Sequence, residues 1–241
     1  MARRDVAQPV REALARSGTL FTWAASQPER ETFTGRGITY GVAIAGLRAV
    51  VRHAHRGGAI ASLLRDRYFG APRFLREITM AKALAEAGIP TPAVLAGVRY
   101  SAGFGHRADV CTERADGVDL AATFFGANPP EGHARESIWR AVGALVRRLH
   151  EAGFVHDDLQ LRNILVESGP PDRLSAGPPA RSAWLLDVDT CRRVGPGNLA
   201  ARRQNLARFD RSWDKWNRLH GAKLSAWDHE TFTSAYVGRP G

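Results

Sequence analysis

The stretch HDDLQLRNILV, residues 156–166, sets two adjacent aspartates and an asparagine at the mouth of an apolar run. A charge taken out of water without a partner is costly, so polar groups gathered at the end of a buried strand are candidates for chemistry. Upstream, Ile138, Val142, Leu145 and Leu149 step by four, three and four residues, which is the spacing of a helix with one buried stripe. Gly153 is placed to end that helix. NILVE then reads as a short buried strand, and WLLDVD as a second one that delivers Asp187. Between them ESGPPDRLSAGPPARS is rich in Pro, Gly and Ser and reads as an exposed loop.

Outward from this centre the two halves of the chain differ. Residues 31–52 alternate apolar and polar side chains around glycines, which predicts two or three strands with tight turns. Phe74, Leu75, Ile78, Ala81, Leu84 and Ala85 recur at helical spacing, and Gly88, Pro90 and Pro92 stop that helix. Residues 93–113 read as a further strand pair. After Pro196 another helix begins, capped by Asn198, with Leu199, Leu206, Phe209, Trp213 and Trp216 as its apolar stripe. Arg202, Arg203, Arg208, Arg211, Lys215 and Arg218 occupy its other faces. The expected fold is α+β: an N-terminal extension over 1–30, a strand-rich lobe with one main helix over 31–115, and a mostly helical lobe over 116–241.

Composition narrows the class. With 44% hydrophobic and 24% charged residues among 241, the chain has the make-up of a soluble globular protein. The N-terminus lacks the apolar core of a secretory signal, and no stretch is long and apolar enough for a membrane span, so a cytoplasmic location is expected. Cys111 and Cys191 lack metal-ligand spacing and read as reduced structural thiols. A net charge of +10 favours an anionic partner such as a nucleotide, a nucleic acid or an anionic membrane surface.

The order helix, polar loop, strand, loop, strand, aspartate resembles the eukaryotic-like protein kinase superfamily. The spacing H-x-D-x-x-x-x-N is met by His156, Asp158 and Asn163, with Asp157 where arginine is usual. That resemblance implies a bilobal protein-kinase-like fold and the use of ATP and Mg²⁺. Asp158 takes the catalytic-base position, and Asn163 and Asp187 take the metal positions. Carboxylate and amide oxygens suit Mg²⁺, and phosphoryl transfer depends on positioning and charge neutralisation more than on covalent chemistry. In the strand-rich lobe Gly35 and Gly37 fall where a glycine-rich loop covers the phosphates. Arg52 stands at the position of the usual lysine, and Glu77 is its natural ion-pair partner. Two departures argue against a regulated protein kinase: Asp187-Val188-Asp189 replaces D-F-G, and no A-P-E follows.

Further stretches are similar to the 3-deoxy-D-manno-octulosonic acid (Kdo) kinases of the bacterial lipopolysaccharide kinase family. They are VVRHAHRGG, ASLLRDRYFG, APRFLREITMAKALAEAGIPTP, RRLHEAGFVHDDLQLRNILV, WLLDVDTCR and NLARFDRSWDKW, spanning roughly residues 33–220. The resemblance implies ATP-dependent phosphorylation of a Kdo hydroxyl on Kdo-lipid A, an anionic glycolipid, at the cytoplasmic face of the inner membrane. No nucleic-acid partner is then expected. Basic clusters at Arg52/Arg56, Arg65/Arg67/Arg73 and Arg202–Arg218 are candidate contacts with an anionic surface, where each basic residue adds about 1 kcal/mol. Two other readings stay open at this level: a kinase of a protein or small-molecule acceptor, and a non-catalytic basic binding module, for which Arg52 is the best argument.

Overall fold

The computed structural model describes residues 1–34, 37–53, 73–101, 105–167 and 182–238. Gly35, Arg36, Arg56, Arg65, Arg67 and most of the Pro/Gly-rich loop after Glu167 lie outside these residues. The chain divides into two compact units, residues 1–82 with 92–114, and residues 83–91 with 115–241.

The first unit is built on a five-stranded antiparallel sheet. Its strands are β1 (Glu31–Thr34), β2 (Ile38–Ile44), β3 (Leu47–His53), β4 (Val94–Ser101) and β5 (His106–Glu113), in the order β1-β2-β3-β5-β4. Ala45 and Gly46, both at positive φ, form the two-residue turn that lets β2 and β3 pair from Ile44↔Leu47 onward. Side chains along the inner strands point alternately to the two faces of the sheet, both of which carry buried residues, whereas β1 is exposed throughout. Val42, Ile44, Ala49, Val51 and Cys111 point to one face. There they meet Val6, just ahead of α1 (Ala7–Ser17), Val10 and Ala13 within it, and Leu20 and Ala24 of α2 (Leu20–Ser26). The residues that the sequence sets apart as an extension thus supply two helices to this core. Ala108 and Val110 point the other way, onto Phe74 of α3 (Arg73–Glu86). Phe74 lies so flat on the sheet that a Cβ at Gly97 would come within 2.2 Å of its ring.

α3 is rotated from the expected stripe. Phe74, Ala81 and Leu84 are buried as the spacing predicts, but Leu75 and Ala85 are exposed and Glu77 is buried. The carboxylate takes the inward position because Arg52 waits there to neutralise it.

The second unit holds short strands between helices. β8 (Ile164–Val166) pairs with β6 (Val118–Asp119) and β9 (Ala183–Leu185), and β7 (Phe154–His156) pairs with β10 (Cys191–Arg193), all antiparallel. Its helices are α4 (Leu120–Phe125), α5 (Gly132–Glu151), α6 (Leu199–His220) and α7 (Ala226–Val237). α5 buries Ile138, Val142, Leu145 and Leu149 as expected, together with Trp139, Val146 and His150. Gly153 follows it at φ 79°. Asn198 caps α6 by accepting a hydrogen bond from the Ala201 amide, as its sequence position suggests. Phe209 and Trp213 are core residues, whereas Leu199 is 58% exposed and stands outside the expected stripe. Aromatic rings join the elements: Phe124 stacks on Trp139 at 4.7 Å, and Trp213 lies 4.7 Å from Trp139. Cys111 and Cys191 are buried and unbonded to each other, and burial pushes the Cys111 thiol up to about 12.

Candidate active site

β8 and β9 set the geometry of the polar groups in the second unit. Ile164 opposes Leu185, and the Leu186 amide donates to the Asn163 carbonyl at 2.9 Å. Asn163 and Asp187 therefore emerge at the same end of one antiparallel pair. Asp187 is exposed and holds φ 56°, ψ 42°, a left-handed conformation that an L-residue adopts at a cost of about 1–3 kcal/mol. The Thr190 hydroxyl donates to the Asp187 carbonyl and helps to hold it there. Asp189 turns inward and is buried.

The loop from His156 to Asn163 is fastened at both ends. The buried His156 ring donates from Nε2 to the Leu186 carbonyl at 2.9 Å, while Nδ1 accepts the Asp158 amide at 3.2 Å. That arrangement needs the neutral ring, and burial does push its pKa below the ordinary histidine value. α6 braces the same loop. Asn205 accepts from the His156 amide through Oδ1 and donates to the His156 carbonyl through Nδ2. Ser212 accepts from the Leu161 amide. Behind Asn205, His150 donates to its Oδ1 at 2.9 Å and the Tyr236 hydroxyl lies 2.9 Å from the other nitrogen of that imidazole.

Asp158 sits at the centre of this frame, with its side chain 18% exposed. Arg208 of α6 donates to its Oδ1, and Gln160 donates to its Oδ2 at 2.8 Å. The Asn163 amide nitrogen donates to the Asp158 carbonyl at 2.8 Å and lies 3.4 Å from Oδ2. With its nitrogen so used, Asn163 keeps its amide oxygen for another ligand. Asp157 is turned away and is paired with Arg192 of β10, at 2.8 and 3.0 Å. The two aspartates that are neighbours in sequence thus have different partners.

In the first unit Arg52 Nη2 stands 2.5 Å from Glu77 Oε2, the Glu77 side chain being 8% exposed. Arg52 opposes Thr39 on one side and Val110 on the other, so it lies on a central strand of the sheet. Gly37 precedes β2, and Gly35 lies outside the described residues. On the opposite face of β3, His53 Nδ1 is 2.6 Å from the fully buried Asp109, which also accepts from the Tyr100 hydroxyl and the Phe21 amide.

Among the described residues no cluster of three or more His, Cys, Asp or Glu stands ready for a metal. The donors that do come together, a carboxylate on Asp187 and an amide oxygen on Asn163, are hard oxygen ligands that suit Mg²⁺. Arg208, Asn205 and Ser212 contact the loop, and the spacing of the loop alone does not reveal them. Their signal is a set of polar residues at i, i+3 and i+7 on an otherwise amphipathic helix.

Comparison with known proteins identifies the family and the fold. The sequence pattern of the Lipopolysaccharide kinase (Kdo/WaaP) family matches residues 22–236. A 3-deoxy-D-manno-octulosonic acid kinase of Actinobacillus succinogenes is 34% identical over 215 residues, covering 85% of this chain and 83% of the relative. The enzyme of the same description from Xylella fastidiosa is 34% identical over 209 residues, covering 84% and 76%. That of Haemophilus influenzae is 32% identical over 212 residues, covering 84% and 82%. A solved structure described as WaaP in complex with acyl carrier protein superposes with a TM-score of 0.57 at 19% identity. It covers 88% of this chain and 80% of its own, and it shows the shared fold. By pattern, by identity over most of its length and by fold, the chain belongs to the lipopolysaccharide kinase (Kdo/WaaP) family.

Proposed function

We propose that this chain transfers the γ-phosphoryl group of ATP to a hydroxyl of a Kdo sugar on lipid A. The observation that carries the reading is Asp158, a carboxylate held between α6 and the Asn163 turn in a chain of this family. A carboxylate so positioned orients the acceptor hydroxyl and takes its proton. The acceptor oxygen forms its bond to the γ-phosphorus, the bond from that phosphorus to the β,γ-bridging oxygen breaks, and ADP departs. Arg52, fixed by Glu77, is assigned to the phosphates of ATP. Its planar fork binds phosphate oxygens differently from the point charge of a lysine. Asn163 and Asp187 are assigned to Mg²⁺, which when bound neutralises phosphate oxygens. The left-handed backbone at Asp187 supports that assignment, because such strain persists where a side chain has to be aimed.

The acceptor is a membrane glycolipid, and among the described residues no helix is long and apolar enough to cross a membrane. We therefore place the chain at the inner-membrane surface as a peripheral enzyme, aided by its net charge of +10.

The test is incubation with labelled ATP, Mg²⁺ and a panel of Kdo-lipid A, free Kdo and protein acceptors, with mass spectrometry of the product. Kdo-lipid A is expected to accept phosphate. Asp158→Ala is expected to lose at least about 100-fold in turnover while keeping its fold. A variant that keeps most of its activity would overturn the role of Asp158, and phosphate found on protein alone would overturn the acceptor.

A further inference from the structure

Arg208 stands at a junction on α6. On one side it shares a face with Asn205 and Ser212, which brace the loop, and it is itself ion-paired to Asp158. On the other side it opens a basic stripe, because Arg208, Arg211, Lys215 and Arg218 recur at i, i+3, i+7 and i+10. These four cover about 15 Å of helix. All four are exposed, and among the described residues none of Arg211, Lys215 and Arg218 is paired with a carboxylate. Asp210, which faces His229 at 3.2 Å, and Asp214 are the acidic residues on this part of the helix. A cationic track thus leads along one helix to the carboxylate that receives the acceptor's proton.

The pairing of Arg208 with Asp158 raises a chemical difficulty. A guanidinium bound to a carboxylate occupies an oxygen that the acceptor hydroxyl would otherwise meet. The Arg208 side chain is 44% exposed, so it can change rotamer without repacking the core. Kdo is an acid, and its carboxylate is ionised at neutral pH. An acceptor that brings its own carboxylate can therefore take over the guanidinium, one charge-assisted pair replacing another.

We propose that Arg208 is the acceptor-recognition residue of this site. Arg208 holds Asp158 in this structure; on acceptor binding it passes to the carboxylate of Kdo and leaves Asp158 to the hydroxyl. Arg211, Lys215 and Arg218 extend the same face toward the phosphates of lipid A. An acceptor without the carboxylate leaves the base tied to arginine, so the exchange confers specificity as well as affinity. This inference rests on the assignment of Kdo-lipid A as acceptor.

The experiment compares three acceptors: Kdo-lipid A, its carboxyl methyl ester, and Kdo-lipid A stripped of lipid phosphates. Wild-type protein is expected to prefer the carboxylate to the ester by about 10- to 100-fold in kcat/KM, the value of a charge-assisted pair. Arg208→Gln is expected to bring that ratio close to one, and Arg208→Lys, which keeps charge without the fork, to recover part of it. Removal of the phosphates is expected to raise KM while the dependence of the ester ratio on Arg208 stays. A purely structural ion pair would lower turnover equally for acid and ester, and a thermal shift with ATP and Mg²⁺ separates misfolding from loss of recognition. Wild-type protein that treats acid and ester alike overturns the proposal without any variant. So does Arg208→Gln that keeps the wild-type preference, or an Arg208 effect that vanishes with the phosphates instead of the carboxylate. Failure of wild-type protein to phosphorylate any Kdo acceptor overturns instead the function on which the proposal stands.

Discussion

At the scale of single residues, Asp109 ties several elements of the first unit together. Its carboxylate is fully buried and receives the Tyr100 hydroxyl, the Phe21 amide and the His53 ring. The Tyr100 hydroxyl in turn accepts the Leu20 amide, so one side chain fastens the start of α2 to the sheet that carries Arg52. Burial next to this carboxylate drives the Tyr100 pKa far above the ordinary phenol value, which keeps the hydroxyl a donor. Asp109→Ala leaves these partners without their acceptor and is expected to cost about 3 kcal/mol or more, read as a lower urea midpoint. A loss under about 1 kcal/mol would show that the network is incidental. Little of it is legible in the sequence. Asp158 and Asn163 are separated by a short, fixed spacing that a loop and strand impose, so the chain itself displays them. His53 and Asp109 meet only because β3 and β5 pair in one register, and Arg208 reaches Asp158 only because α6 packs on the loop. Such contacts depend on tertiary packing, which no local pattern encodes.

At the scale of elements, α5 and α7 form the tightest helix pair in the second unit. A Cβ at Gly143 would lie 2.5 Å from the Phe232 carbonyl, 2.7 Å from the Ala235 methyl and 2.9 Å from the Tyr236 amide. Two of these neighbours are backbone, so they cannot swing aside. Gly143→Ala therefore forces the helices apart, although alanine is the better helix former by about 1 kcal/mol. A net loss of about 1–3 kcal/mol is expected, with a lower thermal midpoint. An unchanged or raised midpoint would mean that propensity outweighs the contact. The same pair shows why whole elements escape a reading of the sequence. α7 is announced by a capping box in which Ser225 and Asp228 bond reciprocally, but its apolar residues are too mixed with polar ones to display a stripe. α1 and α2 bury Val10, Ala13 and Ala24, where small alanines give a weak periodic signal despite full burial. The strands of the five-stranded sheet and the helix α5, with large apolar residues at regular steps, are legible from their pattern alone.

At the scale of the molecule, proton balance links stability to the frame of the site. His150 and His156 are buried on either side of Asn205, and burial lowers both pKa values below 6.5. The unfolded chain then takes up protons that the folded protein refuses. Their contribution is present in full above about pH 6.5 and declines as the pH falls below it, since in that range the unfolded state binds more protons. The slope is at most about 1.4 kcal/mol per pH unit for each histidine. Asp228 acts in a lower window. Burial favours its neutral form, but the hydrogen bonds from Arg135 and Ser225 outweigh that and hold it below the ordinary value of 3.8. Its contribution is therefore intact above 3.8 and disappears only in stronger acid. Stability is thus expected to fall in two stages, first between about pH 6.5 and the depressed histidine values, then in the acid range of Asp228. Protonation of His156 also removes the acceptor for the Asp158 amide, so turnover is expected to decline with the first stage and to recover on return to neutral pH. Urea titrations and rate measurements at matched pH values check both parts. Stability that stays level from about pH 7.5 to about pH 5 would exclude the buried histidines as the cause of any loss of activity there.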